Sequence, residues 1–402
     1  MAKTALSAPA ASRGLILALG LLSAFGPLSM DLYLPSLPTL IADLGTTEAM
    51  GQATMGASMI GLAFGQLIFG PISDRIGRRV PLIIGVAVFA LLSIACAFAP
   101  SIELLLLARL LQGLGGSAGI VVSRAIVRDL YQGAEASRAF ALLAALLGIA
   151  PVIAPLIGGA LLLITDWRGL FIALAIIGAL LFALAWFAVP ETLAPRDRSA
   201  AGMREQLSEI GAVVRNGRFM MFTAVLALAS LGLFSYISMS SMVFQSGFGF
   251  TAQNYALLFA VNAAGMLIGT WLGRAVVRRI GPDRLAGLGI LIGTVAAVSF
   301  AVLAWMQAPL PALIVALTTM LFVHGLILAN VTALAMDAMS RGVGTASAVL
   351  GAIQMGIGAI VPPLVSLGGV DAVVMGAVMA AGFVASLVLF LIIAARLRRR
   401  SQ

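Results

Sequence analysis

The sequence predicts an all-α protein that crosses a membrane about twelve times, and two observations carry this prediction. Of the 402 residues, 61% are hydrophobic and only 10% are charged, whereas a soluble domain has about 45–50% apolar residues. Apolar runs of about 20 residues recur along the whole chain, and each is long enough to cross about 30 Å of hydrocarbon. A water-soluble fold cannot bury this much apolar surface, and no stretch is left for a large soluble domain.

Twelve spans follow from these apolar runs. They are predicted at residues 14–36, 48–70, 80–99, 102–125, 138–162, 168–189, 219–244, 252–276, 284–305, 308–332, 344–366 and 371–395. The first run follows Lys3 and Arg13, as in a signal peptide, but it is long, lacks a small-residue cleavage site and precedes further spans. We therefore expect it to be a retained first helix.

The basic residues predict the orientation of the spans. If both termini are cytoplasmic, all but two of the 24 Lys and Arg residues lie in cytoplasmic segments or at the cytoplasmic ends of spans. The exceptions are Arg109 and Arg168. This excess on the inner side is what the positive-inside rule describes. The net charge of +9 therefore reflects topology, and no nucleic-acid partner is expected, because the basic residues form short clusters rather than one continuous face.

One long polar connection divides the spans into two sets of six. The predicted domains are an N-terminal bundle at 1–189, a cytoplasmic linker at 190–218 and a C-terminal bundle at 219–402. The two halves also repeat each other at a spacing of 204 positions (281 − 77 = 204). The repeated residues are Gly61, Gly65, Arg75 and Gly77, which recur as Gly265, Gly269, Arg279 and Gly281. Two similar halves indicate a duplicated transporter architecture.

Two charged side chains fall well inside the predicted spans, Asp31 in the first and Arg109 in the fourth. Ionisable residues cost about 2.5–3.5 kcal/mol or more at the centre of a membrane helix, so they indicate functional sites. Their depths match, at about 8 and 10 Å from the outer ends, which predicts that they meet. A carboxylate beside a guanidinium stays ionised, whereas burial away from water favours the protonated form. A local rearrangement of the two side chains would therefore switch Asp31 between the ionised and protonated states. The alternative is a static ion pair that fixes the two helices together.

Polar and methionine side chains near this pair are candidates for lining a cavity. Methionine offers adaptable apolar contact, although its helical spacing equally indicates ordinary packing. The single histidine, His324, is either a proton carrier or a hydrogen-bonded packing residue. The other candidates are Ser29, Tyr33 and Gln112 for hydrogen bonds and Met55, Met59, Met239 and Met242 for apolar contact.

The most specific segment in the chain runs from Gly70 to Arg79 and reads Gly-Pro-Ile-Ser-Asp-Arg-Ile-Gly-Arg-Arg. An acid at a helix end and several arginines around a glycine turn suit charge and helix-dipole contacts between two helices. The segment resembles the signature of the loop between helices 2 and 3 in the major facilitator superfamily. This resemblance implies a conformational latch that holds the outward-facing state. The latch residues would be Gly70, Asp74, Arg75, Gly77, Arg78 and Arg79.

Further motifs extend the resemblance over essentially the whole chain. Residues 109–113, Arg-Leu-Leu-Gln-Gly, resemble the helix 4 motif of proton antiporters in that superfamily. Asp-Trp-Arg at 166–168 and Pro-Glu-Thr at 190–192 resemble the two ends of helix 6. Residues 148–159 resemble the helix 5 antiporter motif, although its usual Gly-Pro pair reads Ala-Pro here. The matching residues are Gly148, Pro151, Pro155, Gly158 and Gly159.

Residues 31–38 and 344–348 resemble the bicyclomycin and chloramphenicol resistance (Bcr/CflA) branch of drug:proton antiporters. This resemblance implies a monomeric major facilitator fold of two pseudo-symmetric six-helix bundles in the lipid bilayer of the bacterial inner membrane. It further implies export of drug-like molecules in exchange for protons by alternating access. Asp31 and Arg109 would be the coupling and binding pair. The chain carries no Gly-Lys-Ser/Thr phosphate loop, so we expect no use of ATP.

Two other readings of the sequence remain open. The same fold would also serve proton-coupled or facilitated transport of a small metabolite, which predicts accumulation where export predicts depletion. An intramembrane enzyme would need a catalytic constellation, and one Asp, one Arg and one His on three helices supply neither a metal site nor a nucleophile pair. With Cys96 as the single cysteine, we expect no enzymatic activity, no metal and no cofactor. A purely structural or receptor role would leave the two buried charges unexplained.

Overall fold

The computed structural model describes residues 13–198, 203–339 and 342–400. Within these ranges the chain is helical, without a strand, and twelve helical segments are long and apolar enough to cross a membrane. The chain is therefore a multi-pass all-α membrane protein, as the sequence predicts. Lys3 and Arg341, two of the basic residues used for the topology, lie outside the described residues.

The helices of this fold are numbered in chain order. The first seven are α1 Arg13–Asp31, α2 Leu37–Asp43, α3 Glu48–Ile76, α4 Arg79–Ala97, α5 Ile102–Leu130, α6 Gly133–Leu161 and α7 Trp167–Ala188. The remaining seven are α8 Met203–Val214, α9 Gly217–Met242, α10 Ala252–Ile280, α11 Pro282–Trp305, α12 Leu310–Asp337, α13 Val343–Val365 and α14 Ala372–Arg400. A π-helical turn, Val243–Gly247, extends α9.

The helices form two compact units. The first comprises Met1–Ser36 and Ala57–Ala201, and the second comprises Leu37–Gly56 and Gly202–Gln402. The change from one unit to the other at Ala201 falls inside the predicted linker at 190–218. The sequence does not predict that Leu37–Gly56, which precedes most of the first six spans, is grouped with the second unit.

The first span is broken, which corrects the continuous helix expected at 14–36. It covers Gly14–Asp43, but α1 ends at Asp31 and a short 3-10 turn, Leu34–Ser36, separates it from α2. The cause is Pro35, which has no backbone N–H and disfavours helical geometry in the residue before it. The Tyr33 carbonyl oxygen accepts hydrogen bonds from the Ser36 N–H at 2.9 Å and the Ser36 hydroxyl at 2.7 Å, which closes the turn. Asp31 therefore stands at a helix end inside the span.

The predicted linker also contains a helix that the sequence prediction missed. The helix α8 packs against α13 of the second unit, and the Thr345 hydroxyl donates a 2.6 Å hydrogen bond to a carboxylate oxygen of Glu209. The Asn216 side chain caps the next helix, α9, by accepting from the Phe219 N–H at 3.1 Å. Apolar residues that recur at helical spacing among polar residues are the sequence signal that predicts α8.

The internal repeat has a counterpart in the backbone. The helices α3 and α10 end at corresponding glycines, Gly77 and Gly281, whose φ angles are +108° and +86°. Side chains other than glycine rarely adopt this region, so each glycine lets the chain turn sharply into the next span. The repeat read from the sequence thus places the same turn at the same point of each half.

Candidate functional site

The end of α1 is held by the guanidinium of Arg109. Arg109 lies in α5 and its side chain is fully buried. Its Nη1 donates to the Ser29 carbonyl oxygen at 3.3 Å, which belongs to the last turn of α1. The last carbonyls of a helix lack intrahelical partners and carry partial negative charge, so a cation there is favourable. The break in the first span therefore creates the acceptor that Arg109 uses.

A chain of hydrogen bonds ties Arg109 to α4. Its Nη1 also donates to Gln112 Oε1 at 2.6 Å, and Gln112 Nε2 donates to the Ser93 hydroxyl at 2.7 Å. Ser93 in turn donates to the Phe89 carbonyl at 2.7 Å. The predicted partner Gln112 is thus in direct contact with Arg109, while Ser29 contributes its backbone rather than its hydroxyl.

Aromatic rings cover the guanidinium. The centre of the Tyr33 ring lies 4.5 Å from the Arg109 guanidinium carbon, and that of Phe171 lies 5.6 Å away. Such cation–π contacts strengthen when water is excluded, to about 2 kcal/mol or more. The sequence predicts Tyr33 as a hydrogen-bonding residue, and the structure adds this stacking role. It also adds Phe171 of α7, which is one of many Phe residues in apolar spans and gives no sequence signal.

Arg109 keeps two nitrogens without a partner. Its Nε and Nη2 are buried and make no hydrogen bond to the described residues. Buried N–H groups are nearly always paired, and those of a cation cost most when they are not. An acceptor from outside the fold, or from a rearranged side chain, that reached these donors would therefore be stabilised.

Asp31 does not form the ion pair with Arg109 that the sequence predicts. Its side chain is 6% exposed, and the ion pairs within the described residues do not include it. The two residues come from neighbouring helices, but the α1 break lets Arg109 bind the Ser29 carbonyl instead of the carboxylate. A static ion pair between α1 and α5 is therefore wrong for this conformation, and both charged groups retain unused bonding capacity.

The helix 5 motif packs against the same break. A Cβ on Gly158 of α6 would overlap the carbonyl oxygen of Leu32, the residue that directly follows Asp31. Pro155 and Gly159 are also buried in α6. Because glycine has no side chain, α6 can closely approach the backbone that directly follows the end of α1. The motif residues Gly148 and Pro151 are partly exposed on the same helix.

The remaining candidate lining residues are buried but lie in different units. Met59 is in the first unit, whereas Met55, Met239 and Met242 are in the second. His324 of α12 is fully buried in the second unit, and both of its ring nitrogens lack partners within the described residues. Its ring centre lies 6.3 Å from that of Phe383. The hydrogen-bonded alternative for His324 therefore has no protein partner within the described residues.

Two of the predicted latch residues, Asp74 and Arg78, take part in a hydrogen-bonded network centred on Arg78. The guanidinium contacts Asp74, one helical turn earlier, and donates from Nε to Asp129 Oδ2 at 2.9 Å. It also donates to the Ser73 hydroxyl at 3.0 Å. Burial alone would lower the pKa of Arg78, but the hydrogen bonds and charges of Asp129 and Asp74 outweigh it and raise this pKa. The network ties the C-terminal end of α3 to that of α5.

Glu191, from the motif that follows α7, completes this network. Its carboxylate accepts hydrogen bonds from the backbone N–H groups of Arg78 at 2.9 Å and Arg79 at 3.2 Å. A Cβ on Gly77 would overlap this carboxylate, so glycine is needed for the approach as well as for the turn. Two motifs that the sequence analysis treats separately therefore meet at one place. The partner Asp129 was missed, although it is an acid at the C-terminal end of a spanning helix.

Replacing Glu191 by Gln is expected to destabilise the first unit at neutral pH. Burial raises the pKa of Glu191, but backbone N–H donors of Arg78, Leu193, Arg79 and Thr192 lower it below its ordinary value. An ionised Glu191 therefore contributes stability well above pH ~4, and this contribution is lost as the pH falls through the lowered pKa. Thermal unfolding in detergent should show a melting temperature about 2–4 °C lower for Glu191→Gln at pH 7.

The difference between the two proteins should shrink as the pH is lowered below about 4, because wild type then loses the same carboxylate. The exposed acid Glu135 offers a matched control, and Glu135→Gln should melt like wild type at both pH values. A pH-independent difference for Glu191→Gln would contradict the role given to the charge.

A second polar cluster was missed by sequence reasoning. Gln52, in the segment that packs with the second unit, accepts hydrogen bonds on Oε1 from the Ser366 hydroxyl at 2.6 Å and the Ser238 hydroxyl at 3.2 Å. A Cβ on Gly56 would overlap the Ala359 carbonyl oxygen. The cluster thus fixes Leu37–Gly56 to α9 and α13. A lone Gln inside an apolar run was the available signal.

Comparison with known proteins identifies the family. Residues 19–363 match the model of the Major Facilitator Superfamily. The uncharacterized MFS-type transporter YdgK of Bacillus subtilis is 36% identical over 90% of this chain and 90% of its own. The bicyclomycin resistance protein homolog of Haemophilus influenzae is 26% identical over 87% of this chain and 88% of its own. The chloramphenicol resistance protein of Pseudomonas aeruginosa is 33% identical over 66% of this chain and 63% of its own.

The architecture agrees with these relatives. The inward-facing, unoccupied structure of a bacterial homolog of the human lysosomal transporter Spinster superposes with a TM-score of 0.72 over 95% of both chains. At 18% identity this likeness concerns the fold alone. The resemblance to bicyclomycin and chloramphenicol resistance proteins read from the motifs is confirmed by the relatives, and the protein is a transporter of small molecules rather than an enzyme. The chain belongs to the major facilitator superfamily.

Proposed function

We propose that this transporter exports drug-like molecules of the chloramphenicol or bicyclomycin type in exchange for protons, by alternating access. The relatives named for resistance to these two drugs support the substrate class. The observation that carries the proposal is the fully buried Arg109, whose Nε and Nη2 have no partner within the described residues. Neutral drugs with carbonyl and hydroxyl oxygens offer the acceptors that these donors lack.

Asp31 supplies the coupling in this proposal. An acid buried near a guanidinium has two favourable states, protonated and neutral, or ionised and drawn to the cation. The ionised carboxylate of Asp31 accepts a hydrogen bond from a drug hydroxyl, while the free donors of Arg109 bind a drug oxygen. Protonation of Asp31 removes this acceptor, so proton binding and drug binding compete and each promotes release of the other.

The position of the pair at a helix break supports this exchange. Discontinuous membrane helices place ion and substrate sites at their free ends in other transporters. Here the last turn of α1 ends at Asp31, its Ser29 carbonyl binds Arg109, and its following residue Leu32 rests on Gly158. A small rotation of α1 against α5 and α6 would move the carboxylate relative to the guanidinium.

We further propose that the protein is a monomer of the bacterial inner membrane with both termini in the cytoplasm. The excess of basic residues in the inner segments supports this orientation. The network around Arg78 and Glu191 then lies on the cytoplasmic side. We propose that this network is the latch of the outward-facing state, which must loosen in each transport cycle.

Accumulation of labelled drug in intact cells tests the direction of transport. Cells that lack their own drug exporters would express wild type or Asp31→Asn, and chloramphenicol and bicyclomycin would be followed separately. Wild type is expected to lower the steady-state drug content relative to Asp31→Asn, and an uncoupler should remove the difference. Higher drug content with wild type would instead favour uptake, which is the function expected of a metabolite transporter.

A further inference from the structure

A groove on the second unit lies between α10 and α12. It encloses about 430 Å³, which falls within the usual range of small-ligand sites. Apolar residues, including Gly273, Val277, Leu328 and Ala333, form much of its walls, and Arg274 stands among them. The polar lining residues are Thr270, Asn330 and Thr332. No residue of the proposed drug and proton site lines it.

The groove carries positive charge that no acidic side chain of the described residues neutralises. Arg274 lies six residues before the end of α10 (280 − 274 = 6), about 9 Å along the helix, and Arg278 follows one turn later on the same flank. Both are exposed, and neither has an ion pair or hydrogen bond to the described residues. The acid at the nearby end of α12, Asp337, lies 4.0 Å from Arg218 instead.

The internal repeat shows that these charges are particular to the second half. The positions 204 residues earlier are Gly70 and Asp74, and Asp74 contacts Arg78. The second half thus carries Arg278 where the first half carries an acid, and no carboxylate among the described residues forms an ion pair with Arg278. Arginine within a membrane span without an acid is costly unless its charge reaches an anion or the interface.

Exposure indicates what surrounds this flank of α10. Trp271 lies one turn before Arg274 on the same flank and is 61% exposed. An exposed Trp near two arginines in a spanning helix is the pattern of a side chain set at the level of lipid headgroups. Gly273 and Val277 line the groove on either side of Arg274 along α10, so the same groove offers a cation for a phosphate and apolar surface for hydrocarbon.

We propose that this groove binds one anionic phospholipid of the cytoplasmic leaflet. Arg274 and Arg278 bind the phosphate headgroup, and an acyl chain lies against Gly273, Val277, Leu328 and Ala333. Basic pockets between membrane helices on the cytoplasmic side recognise such headgroups. The leaflet follows from the orientation proposed above, whereas the site is independent of the substrate of the transporter.

Lipid binding to the purified, delipidated protein tests the site by native mass spectrometry. The probes are phosphatidylglycerol and, as a zwitterionic comparison, phosphatidylethanolamine. Wild type is expected to bind phosphatidylglycerol more tightly, and Arg274→Gln should weaken that binding by about fivefold, the effect of one arginine near an anionic headgroup. Binding of phosphatidylethanolamine should change little.

Arg279→Gln is the matched control, because it removes the same charge from the next turn of the same helix but points away from the groove. It should retain binding of phosphatidylglycerol within about twofold. Ala333→Phe fills the groove without changing a charge and should weaken binding of the lipid while leaving the melting temperature unchanged.

Three results would overturn the proposal. Equal binding of phosphatidylglycerol by wild type and Arg274→Gln would remove the role of the arginine. An equal loss in Arg279→Gln and Arg274→Gln would show attraction by general charge rather than by a groove. Displacement of the lipid by inorganic phosphate at millimolar concentration would identify a site for a soluble anion.

Discussion

Arg109→Met should abolish drug transport without destabilising the protein. Removal of the guanidinium leaves Gln112 Oε1 without its donor, which costs about 1–3 kcal/mol. It also removes a fully buried cation whose Nε and Nη2 have no partner, and such a charge costs several kcal/mol to bury. The substitution also removes the contacts of the guanidinium with Tyr33 and Phe171, so these losses and the relief of the buried charge offset each other and the melting temperature should change little. Drug transport should fall about 10- to 100-fold, which corresponds to the free energy of a hydrogen bond to a charged group.

Arg168 provides the matched control for this prediction. Its guanidinium also donates to two backbone carbonyls, those of Ala97 at 2.9 Å and Ala99 at 3.0 Å, and stacks on Trp167. It lies at the start of α7 and touches no group of the proposed site, so Arg168→Met should lower the melting temperature while transport per folded molecule persists. A large loss of stability in Arg109→Met would instead show that Arg109 is structural.

Gly158→Ala should impair both folding and coupling. The added Cβ overlaps the carbonyl oxygen of Leu32, and a backbone carbonyl moves less easily than a flexible side chain. Overpacking of this kind costs about 1–3 kcal/mol, which corresponds to a melting temperature lower by about 2–10 °C for a six-helix unit. Because Leu32 follows Asp31, relief of the overlap displaces the end of α1 and drug-dependent proton movement should fall with it.

Gly265→Ala is the control, since a Cβ there meets nothing within 4 Å and alanine favours a helix more than glycine does. Its melting temperature should equal or exceed that of wild type in the same detergent, and its transport should be unchanged. If Gly158→Ala has the same melting temperature and transport as Gly265→Ala, the close approach of α6 to the break in the first span contributes to neither stability nor coupling.

The sequence alone predicts the fold well because a bilayer leaves few choices. Only helices satisfy their backbone groups across a lipid-exposed span, so the apolar runs determine where the spans lie. The break after Asp31 is harder to predict, because Pro35 lies in an apolar run where membrane helices often tolerate proline. The predicted span at 14–36 is therefore wrong in continuing through that residue.

The candidate site is predicted in part. Charge alone marks Asp31 and Arg109, since few ionisable residues lie deep in the spans. Their contacts depend on how α1 and α5 rotate about their axes, and no pattern of spacing encodes that rotation. This explains why the direct ion pair is wrong while the contact of Arg109 with Gln112, three residues away on the same helix, follows from helical spacing.

The network around Arg78 shows the same limit. The residues of Gly70 to Arg79 are recognisable as a motif, and Arg78 and Asp74 are one helical turn apart. The partners Asp129 and Glu191 are 51 and 113 residues from Arg78, so only the folded chain brings them together. Sequence identifies which groups need a partner, and the packing of helices decides which partner they find.

Proton release from everted membrane vesicles tests the central claim most directly. Vesicles energised to an acidic interior would receive chloramphenicol or bicyclomycin, with wild type compared with Asp31→Asn at equal amounts of inserted protein. Drug-dependent alkalinisation of the interior in wild type, absent in Asp31→Asn, is the result that proton exchange through Asp31 predicts. Equal alkalinisation in both proteins, or none in wild type with either drug, would contradict it.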